Sequence, residues 1–152
     1  MTYFKQIKIV DDDGFPAVVT SDGRLSVTPD NPEYEDAIDV SQEETFHIEG
    51  HQYMYSTYVI PTDSTSNELM ITKMRVGGAP GNARLELYYS ASGVIDGNEE
   101  MLQAFYTNTG NTEVYDLDIR YTGDGTNAII CKMVNLDFGH RYLYFKWEGK
   151  LK

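Results

Sequence analysis

The chain of 152 residues holds one cysteine, five prolines and one tryptophan. With Cys131 alone no intrachain disulfide can form, so a hydrophobic core must hold the fold. Small extracellular scaffolds usually depend on such bonds, and their absence suits a protein folded in a reducing cytoplasm, the compartment expected here. The opening MTYFKQIKIVDDD lacks the apolar stretch of a signal peptide. No apolar run approaches the ~20 residues of a spanning helix, and no Asn-x-Ser/Thr acceptor occurs. Lys and Arg are missing altogether from residues 25–72, which carry ten Asp and Glu. The whole chain has 24 acidic against 12 basic side chains and a formal charge of −12. Such a surface repels phosphate backbones and anionic lipid, so neither nucleic acid nor membrane is an expected partner.

Catalytic motifs are missing as well. There is no Gly-x-Ser-x-Gly elbow and no dinucleotide or phosphate-loop glycine pattern, and the glycine-rich turn at 77–82 lacks the Lys-Ser/Thr that a phosphate loop requires. His47 and His51 stand four apart in HIEGH, a zinc spacing on a helix. Here Gly50 intervenes, the flanks are strand-like and no third ligand is near, so two ordinary histidines at a strand end are expected. Asp11-Asp12-Asp13-Gly14 and Asp124-Gly125 fail the EF-hand spacing and read as hairpin tips, a loose calcium loop being the open alternative. Cys131 lies in an apolar strand pattern, where a thiol is inert filling. The expectation is no catalytic, cofactor or metal-binding residue, and a protein that is not an enzyme.

What is present is alternation. A globular share of apolar residues, 41%, comes in short β-like runs broken by turn chemistry. Residues 1–28 read as a hairpin unit: KQIKIV alternates, and Asp13-Gly14 and Asp22-Gly23 mark turns around PAVVT and RLSV. Residues 29–44, with two prolines in 28–44 and many acids, read as a linker. Residues 45–152 then form the main domain, with strands expected near 45–49, 53–60, 68–76, 83–90, 113–121, 127–135 and 141–148. In 113–122, Tyr115, Leu117, Ile119 and Tyr121 share one face, and in 141–148 Leu143, Phe145 and Trp147 oppose Tyr142, Tyr144 and Lys146. The run 127–136 is apolar enough for a central strand buried on both faces. Residues 93–106 fit either one helical turn or a strand after a wide loop, the strand being favoured. The fold class is all-β: an antiparallel β-sandwich, jelly-roll-like, with a short N-terminal β-hairpin arm.

Charge is uneven: residues 132–152 carry five bases against two acids, the reverse of 25–72. Acidic and basic edges could therefore pair head to tail between copies. Twelve tyrosines are the remaining signal, with Tyr53, Tyr55 and Tyr58 on one strand. Outward tyrosines make rigid amphipathic contact surface for proteins or sugars, and aromatics also simply favour strands.

Two stretches carry a resemblance. IKIVDDDGFPAVVTSDGRLSV, residues 7–27, resembles the openings of small tailed-bacteriophage virion proteins, with a strand, an Asp-Gly turn and a Val-Thr-x-Asp-Gly-Arg-Leu-x-Val hairpin. TGDGTNAIICKMVNLDFGHRYLYFKWEGKL, residues 122–151, resembles their closing strands, and together the two cover about a third of the chain. The resemblance implies a structural virion protein, most simply a capsid decoration or cement protein. It would be a homo-oligomer, often a trimer, in contact with a major capsid, neck or tail protein and located in the virion after assembly in the host cytoplasm. Ile7, Ile9, Val18, Val19 and Leu25 would then make the arm contacts, and Tyr53, Tyr55 and Tyr58 a sandwich interface. The alternative is a receptor- or carbohydrate-binding module of a tail fibre.

Overall fold

Alternation along the last strand sets the architecture. Between Arg141 and Leu151, every second side chain from Leu143 to Leu151 is buried, and those between are at least partly exposed. Such a strand lies on a sheet with one dry and one wet face. The computed structural model describes residues 37–62, 67–78, 83–107 and 112–152 in full and the backbone of 18–19 and 25–26. The strands are β1 (Val18–Val19), β2 (Leu25–Ser26), β3 (Ile38–Ile48), β4 (Tyr53–Val59), β5 (Glu68–Gly78), β6 (Ala83–Ser90), β7 (Glu100–Thr107), β8 (Glu113–Thr122), β9 (Ala128–Asn135) and β10 (Arg141–Leu151). No helix occurs among the described residues.

The chain divides into two units, Met1–Glu35 and Asp36–Lys152. In the first, β1 and β2 form an antiparallel ladder, Val18 opposite Ser26 and Val19 opposite Leu25. The turn expected at Asp22-Gly23 lies between these two strands, outside the described residues.

The second unit is two four-stranded sheets ordered β3-β10-β5-β8 and β4-β9-β6-β7. Every ladder is antiparallel. First strand pairs with last, and so inward: β3 with β10, β4 with β9, β5 with β8, β6 with β7. This nested pairing is one long hairpin of four strand pairs rolled over itself, the topology of a jelly roll. The core between the sheets includes Leu69, Ile71, Met74, Val76, Leu85, Leu87, Phe105, Ile129, Met133, Leu143, Phe145 and Trp147. Trp147 is sealed in, its Nε1–H donating to Gln42 Oε1 at 2.9 Å. Asn127 and Asn135 pin the two ends of β9. Asn127 Nδ2 donates to the Thr122 carbonyl at 2.8 Å, and Asn135 Nδ2 reaches the carbonyls of Ile48 and Gly139 at 3.0 and 2.7 Å.

Two expectations change here. β3 begins at Ile38, so residues 38–44 are strand, not linker. Two of their three acids are met by β10 at long range in sequence: Lys150 Nζ lies 3.1 Å from Asp39 and Lys146 Nζ 3.8 Å from Glu43. The acidic and basic stretches thus meet within one chain, along the β3–β10 ladder. Residues 100–107 are the favoured strand, following a loop at 91–99.

Candidate functional site

The two outer faces of the sandwich differ in chemistry. On the first sheet, β10 turns Tyr144, Lys146, Glu148 and Lys150 outward, opposite Thr45, Glu43, Ser41 and Asp39 of β3. Lys146 and Arg75 both reach Glu148, at 3.6 and 3.5 Å, and Arg120 meets Asp118 at 2.9 Å. This is a hydrated face laced with surface ion pairs, each worth ~0–1 kcal/mol.

The second sheet presents a different surface. Period-two alternation sends Tyr53, Tyr55, Thr57 and Val59 of β4 outward, opposite Val134, Lys132, Ile130 and Ala128 of β9. β6 adds Arg84, Glu86, Tyr88 and Ser90, and β7 adds Tyr106 and Met101. Ile130 and Ala128 are fully buried yet stand outside the inter-sheet core, so this outer face is itself partly dry. Ser90 Oγ donates to the Val94 carbonyl at 2.6 Å and ties the loop after β6 to one end of the face. Tyr53, Tyr55, Met101 and Tyr106 remain 52–54% exposed.

At the centre lies Glu86, only 5% exposed. Its carboxylate takes the Arg84 guanidinium at 2.5 Å, Lys132 Nζ at 3.3 Å and the Tyr88 hydroxyl at 2.6 Å. Burial alone would raise its pKa, but the Tyr88 hydrogen bond and the charges of Lys132 and Arg84 outweigh burial and hold it below the usual carboxylate range. Burial and that carboxylate push the Tyr88 hydroxyl up to about 12, so it stays a donor. The two cations also serve the rings. Lys132 Nζ is 4.6 Å from the Tyr53 ring centroid, and the Arg84 guanidinium carbon 5.8 Å from that of Tyr106. The result is two aromatic borders around a charged centre in which two cations share one carboxylate: a contact surface with built-in polar orientation.

The anticipated residues fall into three groups. Ile7 and Ile9 lie outside the described residues. Val18, Val19 and Leu25 belong to the β1–β2 ladder, and only their backbone is described. Tyr53 and Tyr55 stand on the outer face, but Tyr58, an odd number of residues away, turns inward and meets Trp147 edge-on at 5.0 Å. Tyr58 is a core contact, and burial raises its pKa. His47 stacks on Tyr142 at 4.5 Å, while His51 meets Phe138 edge-on at 4.6 Å. Among the described residues no three His, Cys, Asp or Glu side chains converge as metal ligands. Asp124 spends one carboxylate oxygen on the amides of Thr126 and Asn127, at 2.8 and 2.7 Å, which lowers its pKa. Cys131 is buried in the core and its thiol pKa is driven up by desolvation. Sequence reading did not single out Glu86, Arg84 or Tyr106, although the alternation in Arg84-Leu85-Glu86-Leu87-Tyr88 places Arg84, Glu86 and Tyr88 together.

Fold and face together define a class: an eight-stranded jelly-roll domain with one hydrated and one aromatic outer surface. No protein-family model and no curated protein matches the chain. Similar solved structures include the Yersinia pseudotuberculosis-derived mitogen, 13% identical with a TM-score of 0.48, the alignment covering 76% of this chain and 88% of that one. Infectious bursal disease virus Gx strain is another, 10% identical with a TM-score of 0.34, covering 72% of this chain and 32% of that one. These likenesses carry no function across.

Proposed function

We propose that this protein is a non-enzymatic structural component of a tailed-phage virion, a capsid decoration or cement protein. It binds the particle through its N-terminal strands and self-associates through the sandwich. One observation carries the contact role: the second sheet leaves Tyr53, Tyr55, Met101 and Tyr106 half-exposed around the Glu86–Arg84–Lys132 cluster, while the outer face of the first sheet, exposed Tyr142 and Val114 apart, is laced with ion pairs. Apolar and aromatic side chains clustered around such a centre mark a contact site. The resemblance of residues 7–27 and 122–151 to virion proteins supplies the setting, and a single cysteine suits assembly in the host cytoplasm. The partner is a major capsid, neck or tail protein.

The test mixes purified shells with the full chain and with a form lacking residues 1–28. The full chain is expected to co-sediment to saturation. The shortened form should melt at the same temperature yet stay in the supernatant. Equal occupancy by both would overturn the arm's role, and no binding by either would overturn the virion reading.

A second reading, a carbohydrate-binding module of a tail fibre, is favoured by the same outward tyrosines, since sugars stack on such rings beside polar groups. A glycan array separates the two: saturable binding of a defined oligosaccharide, abolished by Tyr55→Ala, would favour the sugar.

A further inference from the structure

On a chain of net charge −12, the outer face of the second sheet carries an excess of positive charge. Among the described side chains it turns outward, only Arg84, Lys132 and Glu86 are charged, two cations against one carboxylate. Glu86 is 5% exposed while both cations stay partly in water, so what solvent meets is cationic. Glu99 comes near Tyr88 from the loop at 91–99, but its carboxylate accepts the amides of Asp96 and Gly97.

Register sets this charge between rings. Tyr53, Val134, Arg84 and Tyr106 stand side by side on β4, β9, β6 and β7, with Lys132 and Glu86 adjacent in the next row. Three strand spacings separate Tyr53 from Tyr106, about 14 Å between Cα atoms. Lys132 lies over the first ring and Arg84 over the second, so each border ring turns a face to a cation.

The donors of the cluster are not used up. Arg84 Nη2 reaches Glu86, yet Arg84 Nε is the one buried side-chain nitrogen or oxygen without a partner among the described residues. Folded proteins seldom leave such a donor unmet.

We propose that this face binds a short oligosaccharide carrying a single carboxylate. The carboxylate sits on Arg84 and Lys132, and flanking sugar rings stack on Tyr53 and Tyr106. This deepens the carbohydrate reading above and rests on it.

Two observations select that occupant. An extended peptide would add itself to a sheet edge, but the β4 edge is guarded. Gln42 Nε2 donates to Ser56 Oγ at 2.7 Å and to the Thr57 carbonyl at 3.4 Å, and Ser56 Oγ donates to Glu44 at 3.3 Å. The other edge strand, β7, is interrupted by a register shift, which also guards an edge. Recognition on this face therefore falls to side chains: rings that stack on sugars, and cations that take a carboxylate. The second observation is charge. A run of carboxylates or phosphates would be repelled by the acidic chain, whereas one isolated anion matches the single excess cation.

The test uses the full chain and a panel of matched oligosaccharide pairs, one member with a single uronic or sialic acid and the other its neutral counterpart. Binding is followed by the NMR shifts of the tyrosine rings. At least one acidic member should bind about tenfold or more tightly than its neutral match. Lys132→Gln, which leaves Glu86 paired with Arg84, should weaken that binding at least about tenfold. Tyr53→Ala, at an exposed position, should do the same without lowering the melting temperature. Tyr142→Ala, exposed on the first sheet, should leave binding unchanged. Equal binding of acidic and neutral members would overturn the carboxylate site and leave the carbohydrate reading standing. Failure of every pair would overturn both. Acid-selective binding untouched by Lys132→Gln and Tyr53→Ala would overturn the assignment to this face.

Discussion

Glu86 shows how one side chain gives the face its character. A carboxylate on the outer side of a sheet is ordinarily in water, yet this one is buried and met by Arg84, Lys132 and Tyr88. Glu86→Gln would keep the shape and leave two cations without their counter-charge. Breaking a fully buried pair costs ~3–5 kcal/mol. Arg84 and Lys132 keep 32% and 25% of their side-chain surface in water, so we expect a smaller loss of ~1–3 kcal/mol in urea melts at pH 7. The folded pKa of Glu86 is lowered. Its contribution is therefore complete above the unfolded carboxylate value of about 4.3 and is lost as pH falls through the lower folded value. The gap between wild type and Glu86→Gln should start to narrow as pH falls below the unfolded value and close once pH is below the lower folded one; a gap that persists unchanged through acid would mean that something other than the charge stabilises. Little of this was legible in the sequence, because Lys132 comes from β9, far along the chain from β6. The inward turn of Tyr58 was legible: three residues from Tyr55 reverses the face of a strand.

At the level of elements, β10 is the strand on which the first sheet depends, paired on both sides along most of its length. Its ladder to β5 slips between Glu148 and Gly149, and there a Cβ on Gly149 would sit 2.2 Å from the Met70 carbonyl oxygen. Since that neighbour is backbone, Gly149→Ala must push the strands apart. The expected loss is ~1–3 kcal/mol, with amide protection falling first around Met70, Ile71 and Leu151. A variant melting with the wild type would show that the bulge absorbs a methyl group. Most strands announced themselves by period two, as β8 and the Leu143–Phe145–Trp147 face of β10 do. The first half of β3 did not, because Asp39, Glu43 and Glu44 are poor strand formers alone. Lys146 and Lys150, a hundred residues on, neutralise two of them, and no local pattern reports such a partner. The outer tyrosines of β4 could be placed from sequence, but that β4 is a sheet edge could not, since strand order is fixed by pairings distant in sequence.

For the molecule as a whole, surface attraction and net repulsion oppose each other. The first sheet's outer face gathers Asp39–Lys150, Glu43–Lys146, Glu148–Arg75 and Asp118–Arg120 pairs, all at least partly exposed. Pairs of that kind contribute ~0–1 kcal/mol each and weaken as salt rises. Against them stands an excess of 12 acids, from 24 acidic and 12 basic side chains, so like-charge approaches outnumber attractive ones. Self-repulsion destabilises the compact state, and salt weakens that as well. The ~30 Å screening length at 0.01 M spans the domain, while the ~8 Å length at 0.15 M leaves only near neighbours, where the attractive pairs sit. Screening therefore removes diffuse repulsion before it removes paired attraction. The melting temperature should rise between about 0.01 and 0.15 M sodium chloride and then level off. A steady fall over that range would mean that the ion-paired face outweighs the net charge. The acidic excess would then act in solubility and partner choice with no measurable effect on the fold.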